Sequence, residues 1–200
     1  MVLCIIVYVV LTSPVLSQTR ICELATRGEG DALQDLLDGG ADPNTRCGNG
    51  YLLDMAVREG HAAVVRLLLR AEADARWPTL LVYGAAGRNH SEVVQVLARA
   101  GYDLTTRVAS GKAPIHIAAV KGSWAALWVL VERGVDINFR DVRGWTPLHY
   151  AASTGNVDVI RALLLTGAEA GIVDDDGKTA VNIAADKGHV EAVRLLLGRQ

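Results

Sequence analysis

Residues 174 to 187 read DDDGKTAVNIAADK, and the first six have types and spacing that could do chemistry. Three aspartates ahead of a glycine are the makings of a calcium loop, and Gly177, Lys178 and Thr179 match the end of a phosphate-binding loop. A calcium loop needs acidic ligands at alternating positions before its glycine and a bidentate acid at the twelfth. Counted back from Gly177, Asp174 and Asp176 fit, but the first position is Ile172 and the twelfth is Ile183. Calcium is excluded. A phosphate loop needs a glycine five positions before its Gly-Lys pair, where this chain again has Ile172, with Gly171 one residue out of register.

Other candidate chemistry fails on the same kind of count. No two histidines have the i, i+4 spacing of a zinc-binding helix, and no serine sits in a G-x-S-x-G elbow. Three cysteines, Cys4, Cys22 and Cys47, include no CxxC pair and give no even disulfide framework. A Cys22 to Cys47 bridge becomes arithmetically possible only if Cys4 is removed by processing, and the expectation is that none forms. With 20 basic and 22 acidic residues the net charge is −2, so there is no long electrostatic footprint for nucleic acid. The 200 residues, 50% of them hydrophobic, suit one domain or a short repeat array. An enzyme is not expected, and neither a cofactor nor a metal is called for.

The elements that hold these residues are repeats. From Gly144 the chain reads GWTPLHYAASTGNVDVIRALLLTG and from Gly177 GKTAVNIAADKGHVEAVRLLLGRQ, without a gap; Gly111, Gly144 and Gly177 are each 33 residues apart. Looser copies begin at Pro78, Tyr51 and Ile21, giving six units over about 18–48, 49–77, 78–110, 111–143, 144–176 and 177–200, the last incomplete. Each reads as two short helices. In the second helix the apolar residues Val157, Ile160, Leu163 and Leu164, or Val190, Val193, Leu196 and Leu197, predict one buried stripe. Pro114 and Pro147 open first helices, and Gly40, Gly101, Gly134 and Gly167 close helix pairs. A unit of this size cannot bury both faces alone, so an all-α solenoid of stacked units is expected.

The TPLH of Thr146 to His149, the following Ala151, Ala152 and Gly155, the leucine-rich second helix and the GADPN of Gly40 to Asn44 resemble ankyrin repeats over residues 18–200. The resemblance implies stacked helix pairs joined by hairpin-like fingers, a concave face of fingers and first helices that binds a protein, and no catalytic residues. It implies that His116 and His149 brace neighbouring turns, with Asp54 and Asn182 as polar substitutes. In this frame GKTAVNIAA stands where GWTPLHYAA does, so Lys178 takes the place of Trp145.

On the concave face the resemblance places Lys112, Val120 and Lys121 of the fourth unit and Val142, Arg143, Trp145, Ser153 and Thr154 of the fifth. Asp175, Lys178, Asp186 and Lys187 follow in the sixth. Trp145 flanked by Arg143 has the composition of an interface hot spot; alternatively the ring packs on the next finger. On the outer side of the second helices Asp158 with Arg161, and Glu191 with Arg194, suit solvated ion pairs, whereas the fourth unit has Ala125 and Trp128 there. Trp124 is assigned to the core with Leu127, Leu130 and Val131.

Two irregularities remain. The spacing from Val64 to Val93 is 29 rather than 33, which predicts a shortened finger around Ala71 to Pro78 and a local gap in the concave face. The final LLLGRQ follows an apolar helix with no polar cap, so an assembly role through that end is the alternative to the binding module. Residues 1–17, MVLCIIVYVVLTSPVLS, read as a secretory signal with Val15 and Ser17 before the cut; because no Lys or Arg precedes the apolar run, the alternative is a translated segment separated from its true upstream context in a cytoplasmic protein. They are short for a membrane span, so no membrane association is expected after processing. Secretion would make Asn89 of Asn89-His90-Ser91 the sole glycosylation sequon. In an animal cytoplasm the resemblance instead implies hydroxylation of Asn44 and Asn138.

Overall fold

The computed structural model describes residues 14–198, with side chains from Gln18 to Gly198. The apolar segment with Cys4, and the side chains of Val15 and Ser17, lie outside the described residues. Two compact units divide between Arg76 and Trp77. The first holds α1 (Pro14–Arg27), α2 (Gly30–Asp38), a hairpin of β1 (Arg46–Cys47) and β2 (Gly50–Tyr51), α3 (Leu52–Glu59) and α4 (Ala62–Arg70). The second holds four helix pairs: α5 (Pro78–Gly87) with α6 (Ser91–Arg99), α7 (Pro114–Lys121) with α8 (Trp124–Glu132), α9 (Pro147–Thr154) with α10 (Val157–Leu165), and α11 (Ala180–Asp186) with α12 (Val190–Leu196). The chain is an all-α repeat solenoid in its elements, as its periodicity implies.

First helices are buried on most of their surface. In α9 the residues Pro147 to Ala152 are all enclosed, because the paired alanines let α7, α9 and α11 approach closely. Second helices bury one side only: Val93, Val94, Val96 and Leu97 in α6, Ala126, Leu127, Val129 and Leu130 in α8, and Val159, Ile160 and Leu163 in α10.

The expected stripe is therefore rotated. Its outer members are solvent-facing, with Val190 61% and Leu197 53% exposed. The assignment of Trp124 to the core is overturned for the same reason: it is 53% exposed and its ring lies 6.5 Å from that of Trp128. At 100° per residue the first helical position lies on the same side as the fifth, so two tryptophans four apart share one face. The outer pair Glu191–Arg194 forms at 3.5 Å on two well-exposed side chains and adds little to stability.

Helix joins repeat one geometry. A left-handed residue closes the first helix at Gly28, Gly60, Gly122, Gly155 and Gly188, and in α5 at Asn89, whose φ is 61°. Asparagine is one of the few side-chain-bearing residues that enter this region readily. The glycine also makes room for the next repeat: a Cβ on Gly155 would stand 2.6 Å from the His189 ring, and one on Gly28 would stand 2.5 Å from His61. Those histidines reach across to backbone carbonyls, His61 Nε2 to Thr26 at 2.7 Å and His189 Nε2 to Ser153 at 3.2 Å. Where Asn89 replaces glycine the following unit carries Ser123, whose hydroxyl donates to Gly87 O. Asn89 Oδ1 then accepts the Ala126 N–H in the first turn of α8, a donor with no partner within its own helix.

The shortened finger is present. Seven residues, 71–77, separate α4 from α5, against fourteen (100–113) between α6 and α7. Pro78 starts α5 eleven residues before its left-handed residue Asn89, whereas Pro147 starts α9 eight before Gly155. An earlier start to α5 takes up part of the missing loop.

The expectation of no disulfide is overturned: Cys22 on α1 is bonded to Cys47 on β1, their Cα atoms 5.6 Å apart. Counting three cysteines hid a pair that the hairpin folds back against α1, where Gln18 Nε2 also donates to Arg46 O at 3.1 Å. With a sequence separation of 25, the bridge restricts the unfolded chain by an amount worth about 3 kcal/mol. Mass spectrometry should find two additional alkylated cysteines only after reduction, and reduction should lower the denaturant midpoint of the N-terminal unit by a shift equivalent to about 2–4 kcal/mol.

Candidate protein-binding face

Fingers four to six are built on a repeated tight turn. Val108, Asp141 and Asp174 each donate their backbone N–H to the carbonyl four residues on, at Lys112, Trp145 and Lys178. Two of these residues are aspartates, and their carboxyl groups are buried. Asp141 Oδ1 accepts from the N–H groups of Arg143 and Trp145, both at 2.8 Å, while Oδ2 accepts from the Tyr150 hydroxyl at 2.6 Å. Asp174 Oδ1 accepts from Asp176 N and Lys178 N, and Oδ2 accepts from Trp145 Nε1 at 2.9 Å. Burial alone would push both carboxyls up; these donors outweigh it and hold both below the usual range. The triple aspartate thus supplies one buried brace, Asp174, and two exposed acids, Asp175 and Asp176.

Histidines brace the bases of the same fingers. His116 Nδ1 accepts from Ala113 N at 3.0 Å and Nε2 donates to Phe139 O at 2.7 Å. His149 Nδ1 accepts from Thr146 N, and Nε2 donates to Lys178 O at 3.1 Å. Burial pushes both imidazoles below the ordinary 6.5, consistent with rings that accept at one nitrogen and donate at the other. Asp54 and Asn182 occupy the equivalent places, accepting Tyr51 N at 2.9 Å and Thr179 N at 2.9 Å.

Trp145 joins these supports. It is half-buried, stacks edge-on to Tyr150 with centroids 4.9 Å apart, and bonds the next finger through Asp174. Arg143 is exposed, lies 4.6 Å from the Trp145 ring centroid, and donates to the Tyr150 hydroxyl at 3.1 Å. Lys112 Nζ sits over the Tyr150 ring, 5.0 Å from its centroid. Tyr150 is the centre that sequence reading missed. Its signal was present: 33 residues on either side the chain has Ile117 and Ile183. Burial, then the bond to Asp141, pushes its hydroxyl up to about 12.

The other expected site residues either have partners of their own or face solvent. Val142 is 68% exposed and its side chain lies over Gly111. Val120 is half-buried and Lys121 exposed. Ser153 and Thr154 turn their hydroxyls back to the carbonyls of Tyr150 and Ala151 in their own helix. Lys178 pairs with Asp186, and Asp175 pairs with Arg140 at 3.5 Å; Lys187 is exposed. Asn44 and Asn138 clip one finger to the next, their Oδ1 atoms accepting from Asp74 N at 2.6 Å and Glu169 N at 3.0 Å. Among the described residues no group of three His, Cys, Asp or Glu side chains is placed to hold a metal, and no helix is long and apolar enough to cross a membrane.

Two measurements test the braces. Tyr150→Phe removes the charge-assisted bond to buried Asp141 and should cost about 1.5–3 kcal/mol in urea unfolding, against less than about 1 kcal/mol for Thr154→Ala. On acidification, the unfolded chain takes up protons below pH 6.5 that folded His116 and His149 refuse, and below about pH 4 protons that Asp141 and Asp174 refuse. Stability should be greatest above pH 7 and fall in two steps as pH drops; a flat profile from pH 7 to 5 would contradict the buried-histidine account.

Comparison with known proteins agrees with this construction. The family model described as ankyrin repeats (3 copies) matches residues 21–108, 53–141, 81–174 and 115–200. Cyclin-dependent kinase 4 inhibitor B of Homo sapiens is 32% identical over 111 residues, covering 53% of this chain and 80% of that protein. The Bos taurus form is 33% identical over 107 residues, covering 51% and 82%. Cyclin-dependent kinase inhibitor 2A of Monodelphis domestica is 30% identical over 111 residues, covering 53% and 65%. With repeats matched from residue 21 to residue 200 and the turn-bracing histidines in place, the chain belongs to the ankyrin repeat family and is a helical protein-interaction module.

Proposed function

We propose that the chain is a non-enzymatic binding module that captures a protein partner on fingers and first helices of the fourth to sixth repeats, with Arg143, Trp145 and Val142 at the centre. The observation that carries this reading is the bracing of an exposed surface from beneath. Arg143 is stacked on Trp145 and bonded to Tyr150, so a partner meets a side chain whose ordering has already been done. Lys112, Lys121, Asp175, Lys178, Asp186 and Lys187 form the polar surround, and Ser153 and Thr154 the floor. The relatives are named as inhibitors of cyclin-dependent kinases, which makes a kinase of that class the first partner to try. Purified cyclin-dependent kinase 4 should be retained by the immobilised chain. Arg143→Ala should weaken retention at least tenfold with an unchanged thermal melt, and equal retention by the variant would move the interface elsewhere.

A second reading places the contact at the C-terminal end, where Val190 at the start of α12 and Leu197 just after it are exposed. It predicts that Leu197→Glu abolishes self-association or docking in sedimentation while Arg143→Ala leaves both unchanged.

The compartment we propose is an oxidising one, because a disulfide joins Cys22 and Cys47 and such bonds persist outside the reducing cytosol. Asn89 is exposed in its turn, open to a glycan. Expressed in animal cells, the chain should lose apparent mass on endoglycosidase treatment. Intracellular retention with no shift, and free thiols at Cys22 and Cys47, would place it in the cytosol.

A further inference from the structure

Three cations converge on one row of rings. Arg107 lies 4.7 Å from the Phe139 centroid and donates to Arg140 O at 2.9 Å. Phe139 is 5.9 Å from the His116 ring, His116 is 5.4 Å from Tyr150, and Tyr150 is 4.9 Å from Trp145. Lys112 and Arg143 both rest on that row, over Tyr150 and Trp145. Each cation is thus held by an aromatic face rather than by an exposed acid.

Asp141, Asp174 and Asp175 are already occupied. Asp141 approaches Arg143 Nε at 3.8 Å, but its side chain is 0% exposed and accepts three hydrogen bonds. Asp174 is buried under Trp145, and Asp175 faces Arg140. Among the described residues neither Arg107 nor Lys112 forms an ion pair. What solvent meets is a short positive strip on a chain whose net charge is −2.

We propose that this strip receives an acidic segment of the partner protein, carrying two or more carboxylates that bridge Arg107, Lys112 and Arg143. The proposal rests on the finger face being the binding face. Guanidinium groups fixed on rings match carboxylates with little ordering left to do, and a partner of opposite charge is favoured both in approach and in register. A nucleic acid fits less well, since three phosphate contacts on a net-negative chain give a small counterion-release gain.

The test uses the full chain and a fluorescein-labelled hexaglutamate peptide, with hexalysine, a Ser-Gly peptide and oligothymidylate as comparisons. At low ionic strength anisotropy should report hexaglutamate binding at least tenfold tighter than any comparison, lost as salt rises. The Trp145 indole N–H resonance should shift on titration while that of Trp128 stays in place, a readout that needs no variant. Lys112→Gln and Arg107→Gln should each weaken binding threefold or more with unchanged melts, whereas Arg161→Gln, on the outer side of α10, should not. No preference for hexaglutamate, tighter binding of oligothymidylate, or an unmoved Trp145 signal would overturn the proposal. If kinase capture still depends on Arg143 in that event, the binding face stands and only the acidic partner falls.

Discussion

One backbone hydrogen bond, made six times, is what the rest of the structure depends on. After each left-handed turn the next N–H returns to the carbonyl five residues back: Glu29 to Leu24, His61 to Ala56, His90 to Ala85, Ser123 to Ala118, Asn156 to Ala151 and His189 to Ala184, all between 2.8 and 3.1 Å. It ends the first helix, satisfies a carbonyl that has no partner within the helix, and aims the second helix back along the first. Because no repeat can enclose its own apolar side, that angle decides whether the next copy fits. Gly28 and Gly155 serve angle and fit together, since a Cβ on either would strike the histidine of the following repeat.

Asn89 displays how tightly the two requirements are coupled. Its backbone takes the left-handed turn, but its side chain fills space that glycine leaves open. The next repeat carries Ser123 where Gly28 and Gly155 are faced by His61 and His189, and Asn89 supplies a hydrogen bond to α8. Bulk on one side of the contact is matched by a smaller side chain on the other, and the stacking is kept.

On the fingers, stability and the proposed recognition draw on the same side chains. Asp141 and Asp174 are buried charges, which is costly unless every lone pair is used, and here backbone N–H groups, Tyr150 and Trp145 supply the partners. The cost of burial and the rigidity of the surface have a common origin. Trp145 is both a brace for the next finger and part of the exposed face, so the choice between hot spot and packing residue does not divide the two roles cleanly.

Period, helix pairs, turn glycines and the short finger before Pro78 were legible in the sequence, because each follows from local backbone chemistry or from a repeat count, and the bracing histidines through the family resemblance of the TPLH stretch. The helix rotation was not: the apolar residues at 124 and 190 satisfy a 3.6-residue pattern yet face solvent, since which side is inward is set by the neighbouring helix. Nor did cysteine parity reveal the Cys22–Cys47 bond, which exists because a hairpin folds 25 residues of chain back onto α1. The same holds for Arg107, Lys112, Phe139 and Tyr150, spread over 44 positions and joined only where fingers stack. Sequence determined the repeated unit, whose interactions lie within about 33 residues; tertiary structure decided the surface, because the finger face is assembled across units that touch only once folded.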